Sequence, residues 1–410
     1  MPPDNKAADN KAALARAFLP MAAAAFASMA AQRTCDPILH PMALEFGVDE
    51  AAAGWSIGVF AFAYGVAQMF YGPLADRHGK LQVAALAAIA CGLANVATAI
   101  APSLELLLLG RALAGATAAA IIPQCMAWIG DTVAYEERQE TLARFLLGTV
   151  FGTVAGQALS GVFADYWTWR ASFWLLAILF AGSGVILWLT KLDKPAAGAG
   201  RVSFSSSLRG VMSVPWARLV LWVVLAEGAL VFGALAYTPA YLIERFGVSP
   251  AVAGTSAAVF GLGGMVFLAT AKRLLARLGE HGLALTGGLS LAGAFLVLLA
   301  TPDWRAAPPA ALLAGFGFYM LHNTLQTHAT QMVPAMRGAA VAMFASALFF
   351  GQALGAAAGG WFTDTHRFGW LLALSALGVA ALGWWFGRAI KRQAIKAQAG
   401  ASASASSPSH

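Results

Sequence analysis

The chain has 410 residues, of which 59% are hydrophobic and 11% charged, with a formal net charge of +7. A soluble domain is about a quarter charged, so a globule surrounded by water is excluded and lipid must serve as solvent. The basic residues punctuate apolar runs without interleaved aromatics, which excludes a nucleic-acid partner.

The segment 1–16 carries Lys6, Lys11 and Arg16 and forms a short polar terminus. The apolar run after it resembles a signal peptide. The rest of the chain is equally membrane-like, so this run is read as a retained first span. A bilayer core needs about twenty apolar residues per helix. Twelve stretches meet this, near 17–42, 50–72, 81–101, 104–129, 143–165, 170–190, 217–241, 250–271, 281–301, 306–331, 339–362 and 369–389. The longest interior connection, 191–215, has linker composition and divides the spans into bundles at 17–190 and 216–389. The tail from 390 to 410 starts basic and ends in Ala-Ser repeats, so it is expected to be disordered. The expected fold class is an all-α membrane protein of twelve helices in two pseudo-symmetric six-helix bundles, a monomer.

Lys and Arg set the orientation. Twenty of the 26 fall on the side of the N-terminus, four on the other side, and Arg33 and Arg111 lie within spans. Both termini are therefore expected in the cytoplasm of a bacterial inner-membrane protein.

In span one, the spacing of Arg33, Asp36 and His40 places them on one helix face. Ionisable groups inside spans are costly and face a cavity or a partner. Asp36 lies about eight residues, roughly 12 Å, below the end of its span, and Arg111 lies about as deep in span four. The matching depths suggest a charge cluster of Asp36, Arg33 and Arg111 able to couple a proton. The alternative is a permanently ionised structural triad.

Between spans two and three runs Gly72-Pro73-Leu74-Ala75-Asp76-Arg77-His78-Gly79-Lys80. Arg77 and Lys80 hold this hairpin on the cytoplasmic side. Gly72 and Gly79 permit close helix approach and a tight reversal. Asp76 stands where a helix N-terminus favours an anion, and its pairing with a basic helix end would latch this side in one state.

Glu227 lies near mid-membrane in span seven, a candidate for coupling or for a structural hydrogen bond. Span ten is polar, with His322, Asn323 and Gln326 on a stripe that would face a cavity. Gln124, Gln157 and Tyr237 are weaker cavity candidates, and His40 is a further residue expected at the substrate cavity. Cys35, Cys91 and Cys125 lie in apolar runs without metal-ligand spacing, and no metal or cofactor is expected.

The halves repeat each other. Gly156-Gln157-Ala158-Leu159 in span five recurs as Gly351-Gln352-Ala353-Leu354 in span eleven, and Arg77-His78-Gly79 after span two is echoed by Arg277-Leu278-Gly279 after span eight. The two offsets are nearly equal, and each links a span to the one six places later. Parallel repeats of this kind place a substrate site at their interface.

With these residues the chain, over about 14–390, resembles the major facilitator superfamily, and within it the bacterial drug and metabolite:proton antiporters of the arabinose-efflux-like type. The hairpin matches that family's loop between spans two and three. Gly110-Arg111-Ala112-Leu113-Ala114-Gly115 resembles its buried-arginine motif, and Trp169-Arg170 with Phe173 fits the start of span six. Gln157 stands where the antiporters carry the proline of a Gly-Pro step.

The resemblance implies a secondary active transporter working by alternating access, with a small organic substrate and protons as its partners in the bilayer. Proton-coupled efflux of a drug or metabolite is the first reading. Uptake of an organic anion is the second, favoured by Arg33, Arg111 and the missing Gly-Pro step. A transporter-like sensor is a third. Without a GxSxG elbow, an HExxH pair or a Walker A loop, no enzyme is expected.

Overall fold

The computed structural model describes residues 3–192, 204–364 and 367–405, and they are helical with short connections. Among them fourteen α-helices follow in order. They are α1 (Pro3–Arg33), α2 (Leu39–Phe46), α3 (Glu50–His78), α4 (Lys80–Ala99), α5 (Leu104–Ala118), α6 (Ile121–Thr132), α7 (Tyr135–Tyr166), α8 (Arg170–Thr190), α9 (Phe204–Ser213), α10 (Pro215–Phe246), α11 (Pro250–Ala300), α12 (Ala307–Gln331), α13 (Arg337–Asp364) and α14 (Phe368–Ala405).

Ten segments among the described residues are long and apolar enough to cross a membrane. One of them, α11, is 51 residues long and breaks at Gly279, whose φ of 64° is non-helical. Two expected spans meet at that glycine. The 25-residue α12 is outside the ten, and it is the helix that carries the polar stripe.

Two expected spans are interrupted, and proline is the reason for each. Pro37 cannot donate a backbone hydrogen bond and disfavours helical geometry at the residue before it. Accordingly α1 stops at Arg33, a 3₁₀ turn takes Asp36–Ile38, and α2 begins at Leu39. Pro123, near the start of α6, does the same to span four, which bends at Ala119 and Ala120.

Both chain ends are helical as far as they are described. In the basic and Ala-Ser segment 390–410, the described residues through Ala405 continue α14, and 406–410 lie outside the described residues. Alanine is the strongest helix former and sustains the last turns. The polar N-terminus is continuous with the first span, since α1 starts at Pro3. The second part of the expected linker forms α9, and 193–203 lie outside the described residues.

The duplication is visible in packing. A methyl on Gly115 would collide with the carbonyl oxygen of Phe60, and one on Gly315 would collide with that of Phe260. Gly315 follows Gly115 by the same interval as Phe260 follows Phe60. Likewise a methyl on Gly156 would strike the Ala30 carbonyl, and one on Gly351 the Leu225 carbonyl. Again one interval relates both partners of the second contact to those of the first. Small residues of this kind let membrane helices approach backbone to backbone.

The halves meet through α3 with α13 and α7 with α11. Their contacts gather on the face opposite the hairpin. The Ala251 amide donates to Asp165 Oδ2 at 2.9 Å, and Gly161 lies so close to the Pro250 carbonyl that a methyl there would overlap it. At mid-depth Tyr64 stacks on Phe349 with ring centroids 3.9 Å apart. Toward the hairpin, Phe70 and Leu74 of α3 and Gly338 of α13 are exposed. The halves are thus closed on one face and splayed on the other.

Candidate functional site

The Pro37 break places Asp36 outside regular α-helix. The carboxylate is fully buried. Its Oδ2 accepts from Gln157 Nε2 at 3.0 Å and lies 3.5 Å from Arg33 Nη1, while its Oδ1 has no partner among the described residues. The expected face shared with His40 does not exist, because the break turns His40 away. His40 joins Glu50 at 2.8 Å and lines a pocket of about 540 Å³ with Asp49, Glu50 and Glu244, on the closed face.

Of the expected charge cluster, Arg33 lies beside Asp36, whereas Arg111 makes no hydrogen bond or ion pair to it among the described residues. Arg111 Nε donates to the Ser56 carbonyl at 3.1 Å. Its guanidinium lies 4.3 Å over the Phe60 ring and 5.8 Å from that of Phe173, and both terminal nitrogens lack hydrogen-bond partners. Matching depth fixed a level, but the side chains point to different neighbours: Arg111 toward α3 and α8, Asp36 toward α7.

In the second half the structure joins two candidates from separate helices. Glu227 of α10 is fully buried, and its Oε2 lies 2.8 Å from Nδ1 of His322 on α12. Glu227 Oε1 has no partner among the described residues. The imidazole is stacked on Phe318 at 4.9 Å and flanked by Phe344 at 5.4 Å. Asn323 and Gln326 are exposed on the same helix and make no bond to this pair.

Between the halves lie residues that the sequence did not single out. Gln32 Nε2 donates to Gln352 Oε1 at 2.8 Å, and both side chains are buried. The Arg33 guanidinium lies 4.2 Å over the ring of Phe232 on α10. Phe232 touches Phe318 with centroids 5.1 Å apart. A continuous row therefore runs from Asp36 through Arg33, Phe232, Phe318 and His322 to Glu227. The signal for Gln32 was available, since it precedes Glu227 by the interval that separates Gly156 from Gly351.

Tyr237, a weaker cavity candidate, is buried. Its hydroxyl donates to the Ala356 carbonyl at 2.8 Å, and its ring fills space left by Gly54 and Gly359. It is a helix clasp. Gln124 is buried on α6.

The hairpin turns at Gly79, whose φ of 99° favours glycine. Lys80 is ion-paired with Asp131 at the end of α6. Asp76 and Arg77 are exposed, and Asp76 makes no ion pair among the described residues. Gly72 was expected to allow close approach, but nothing stands within 4 Å of a methyl there, because the halves are apart on this face. On the opposite face Trp169 and Arg170 both hold Glu45, at 2.6 and 2.7 Å. No group of three or more metal-ligating side chains occurs among the described residues.

The sequence profile of the Major Facilitator Superfamily matches residues 21–356 and 242–408. An uncharacterised MFS-type transporter of Bacillus subtilis, YceJ, is 21% identical over 83% of this chain and 88% of its own length. Multidrug resistance protein D of Escherichia coli is 30% identical over 37% of this chain and 39% of its own length. The inner membrane transport protein YnfM of Escherichia coli is 23% identical over 62% of this chain and 60% of its own length. Among solved structures, a bacterial homolog of the human lysosomal transporter Spinster, in an inward-facing and unoccupied conformation, covers 92% of this chain and 97% of its own with a TM-score of 0.71 at 16% identity. The nucleoside transporter NupG covers 90% and 98% with a TM-score of 0.73 at 14% identity. The chain belongs to the Major Facilitator Superfamily, a family of membrane transport proteins.

Proposed function

From that membership we propose that the chain is a twelve-span secondary transporter that exports a small organic compound from the cytoplasm in exchange for protons. Its hairpin face is cytoplasmic in this reading, which the distribution of Lys and Arg supports. The splayed face is then the inner one, open to its substrate.

The observation that carries the proposal is the buried Glu227–His322 pair. A lone carboxylate in a dry bundle is strongly disfavoured. Here one oxygen meets an imidazole and the other has no donor. A proton shared by the two groups neutralises the carboxylate, and its loss leaves a charge that calls for rearrangement. Because His322 is partly open and Glu227 is not, the imidazole is the group through which protons enter and leave. Asp36, held by Arg33 and Gln157, is the second acidic group and tracks the relation between the halves through Arg33 on Phe232.

The efflux direction is supported by the likeness to multidrug resistance protein D. A second reading, uptake of an organic anion, is favoured by one observation: two buried arginines, Arg33 and Arg111, share a half with one buried carboxylate, Asp36, among the described residues. A ligand is first found by thermal-shift screening of metabolites and drugs at two pH values. Purified protein in proteoliposomes is then given a pH jump. Exchange of that ligand against protons supports export, and movement of both in one direction establishes uptake. Glu227→Gln abolishes acceleration by the pH gradient while exchange without a gradient persists. Full acceleration in that variant overturns the assignment of the site.

A further inference from the structure

A second titratable pair lies near the hairpin-side end of α12, away from Glu227. In the first half, Gly79 turns the chain, Lys80 follows as the first residue of α4, and Lys80 is ion-paired with Asp131 in the last turn of α6. The second half repeats this construction. Gly279 turns the chain with a φ of 64°, Glu280 follows, and Glu280 Oε2 lies 3.3 Å from Nε2 of His328 in the last turn of α12. Glu280 stands in the second repeat where Lys80 stands in the first, and His328 falls within one helical turn of the place of Asp131. The anchor is the same and its polarity is reversed.

The reversal changes the chemistry. Lys and Asp side chains ordinarily titrate near 10.4 and about 3.9, far from the physiological range. A histidine ordinarily titrates at about 6.5. The second anchor is therefore an ion pair only while His328 holds a proton.

Two aromatic rings and one carboxylate border the imidazole. Trp216 of α10 meets the imidazole edge-on at 5.3 Å, and Phe386 of α14 does so at 5.7 Å. These helices present rings to it, not charges. Arg388 of α14 is turned over Trp384 at 4.0 Å. Arg277 and His281 flank Glu280 on α11, and Arg218 follows Trp216 on α10. Among the described residues Glu280 is the one ion-pair partner of His328. The His328 side chain is 17% exposed, within reach of protons from the hairpin face.

We infer that His328 and Glu280 form a second protonation site, separate from the coupling pair, that reads the pH on the hairpin face and clamps the end of α12 to α11 when that side is acidic. The helix it clamps also carries His322, so cytoplasmic acidification stiffens the half that holds the coupling site. The first half, with its permanent anchor, does not respond.

Hydrogen exchange of the full chain in nanodiscs tests this between pH 5 and 8, corrected for the intrinsic pH dependence of amide exchange. Segments 280–286 and 325–332 are expected to exchange about two- to fivefold more slowly at the acidic end, the scale of a partly exposed ion pair. The segment around Asp131 is expected to show no such change. The double variant Glu280→Lys with His328→Asp, which restores the first-half polarity, removes the pH dependence. Should that variant fail to fold, His328→Gln gives the fast level at every pH. Glu227→Gln keeps the wild-type response. A flat wild-type profile, or a response that disappears in Glu227→Gln, overturns the inference. A response that persists in a protein showing no proton-coupled flux supports it while removing the coupling proposal.

Discussion

Glu227 and Gln32 occupy the same place in the two repeats. The interval that relates Gly351 to Gly156 and Leu225 to Ala30 also relates Glu227 to Gln32. One half holds a titratable acid at this level and the other holds its uncharged isostere. The acid turns inward to His322, while the amide reaches across to Gln352 at 2.8 Å. At this one repeated position a titratable group is therefore found in one half, and the other half uses the position to hold the two together.

Gln32→Leu removes the donor of a buried amide pair and leaves Gln352 Oε1 without it. Loss of one partner costs about 1–3 kcal/mol, charged to the state in which the face opposite the hairpin is closed. The variant is expected to open that face more often. Thiol labelling of a cysteine placed at Ala51, beside Gly360, measures this, and labelling at the wild-type rate counts against the clasp.

Asp36→Asn keeps the shape of the side chain but leaves Arg33 without its carboxylate. Removing one member of a buried ion pair costs about 3–5 kcal/mol. The thermal midpoint in detergent is expected to fall while the helical content by circular dichroism is retained. Uphill transport is expected to be lost, and full activity would exclude a coupling role for this carboxylate.

Gly115→Val and Gly315→Val are expected to act alike, because each drives a side chain into a backbone carbonyl at the same place in its half. Overpacking costs about 1–3 kcal/mol where neighbours can adjust, and a carbonyl adjusts little. Both variants should lower the yield of folded protein in size-exclusion profiles. Gly72→Val, facing open space, should not.

Asp76→Asn is expected to leave the thermal midpoint within the range of neutral surface changes, about 0.5 kcal/mol, since Asp76 has no ion-pair partner in this conformation. Ligand-induced thermal shift should also be unchanged while the transport rate falls. If ligand binding is lost instead, Asp76 is not a latch for the opposite conformation.

Much of the architecture could be read from the residues, because hydropathy and glycine report on lipid and on close approach. The Gly79 turn, the break at Gly279 and the duplicated Gly-Gln-Ala-Leu segments were all visible. The site was less so. Asp36, Arg33, Glu227 and His322 were each identifiable as polar groups in apolar helices, but spacing along one helix gives a level and not a direction. Arg111 accordingly shares the depth of Asp36 and faces other helices. Glu227 and His322 lie far apart in the chain, and only the crossing of α10 and α12 joins them. Phe232 carried no signal at all, since a phenylalanine in a span is ordinary until a guanidinium rests on it.

The interruption at Pro37 has a mechanical consequence. The turn it creates fits against the Gln157 carbonyl region of α7 and against Gly254 of α11, where a methyl would come within 3.1 Å of Pro37 Cβ. A smooth helix can slide by a turn past its neighbours, finding equivalent grooves. A helix with a corner cannot, because the corner fits in one place. The first span is thus keyed to both halves at one depth, and a cycle of opening and closing has to hinge about that corner instead of moving it along the bundle.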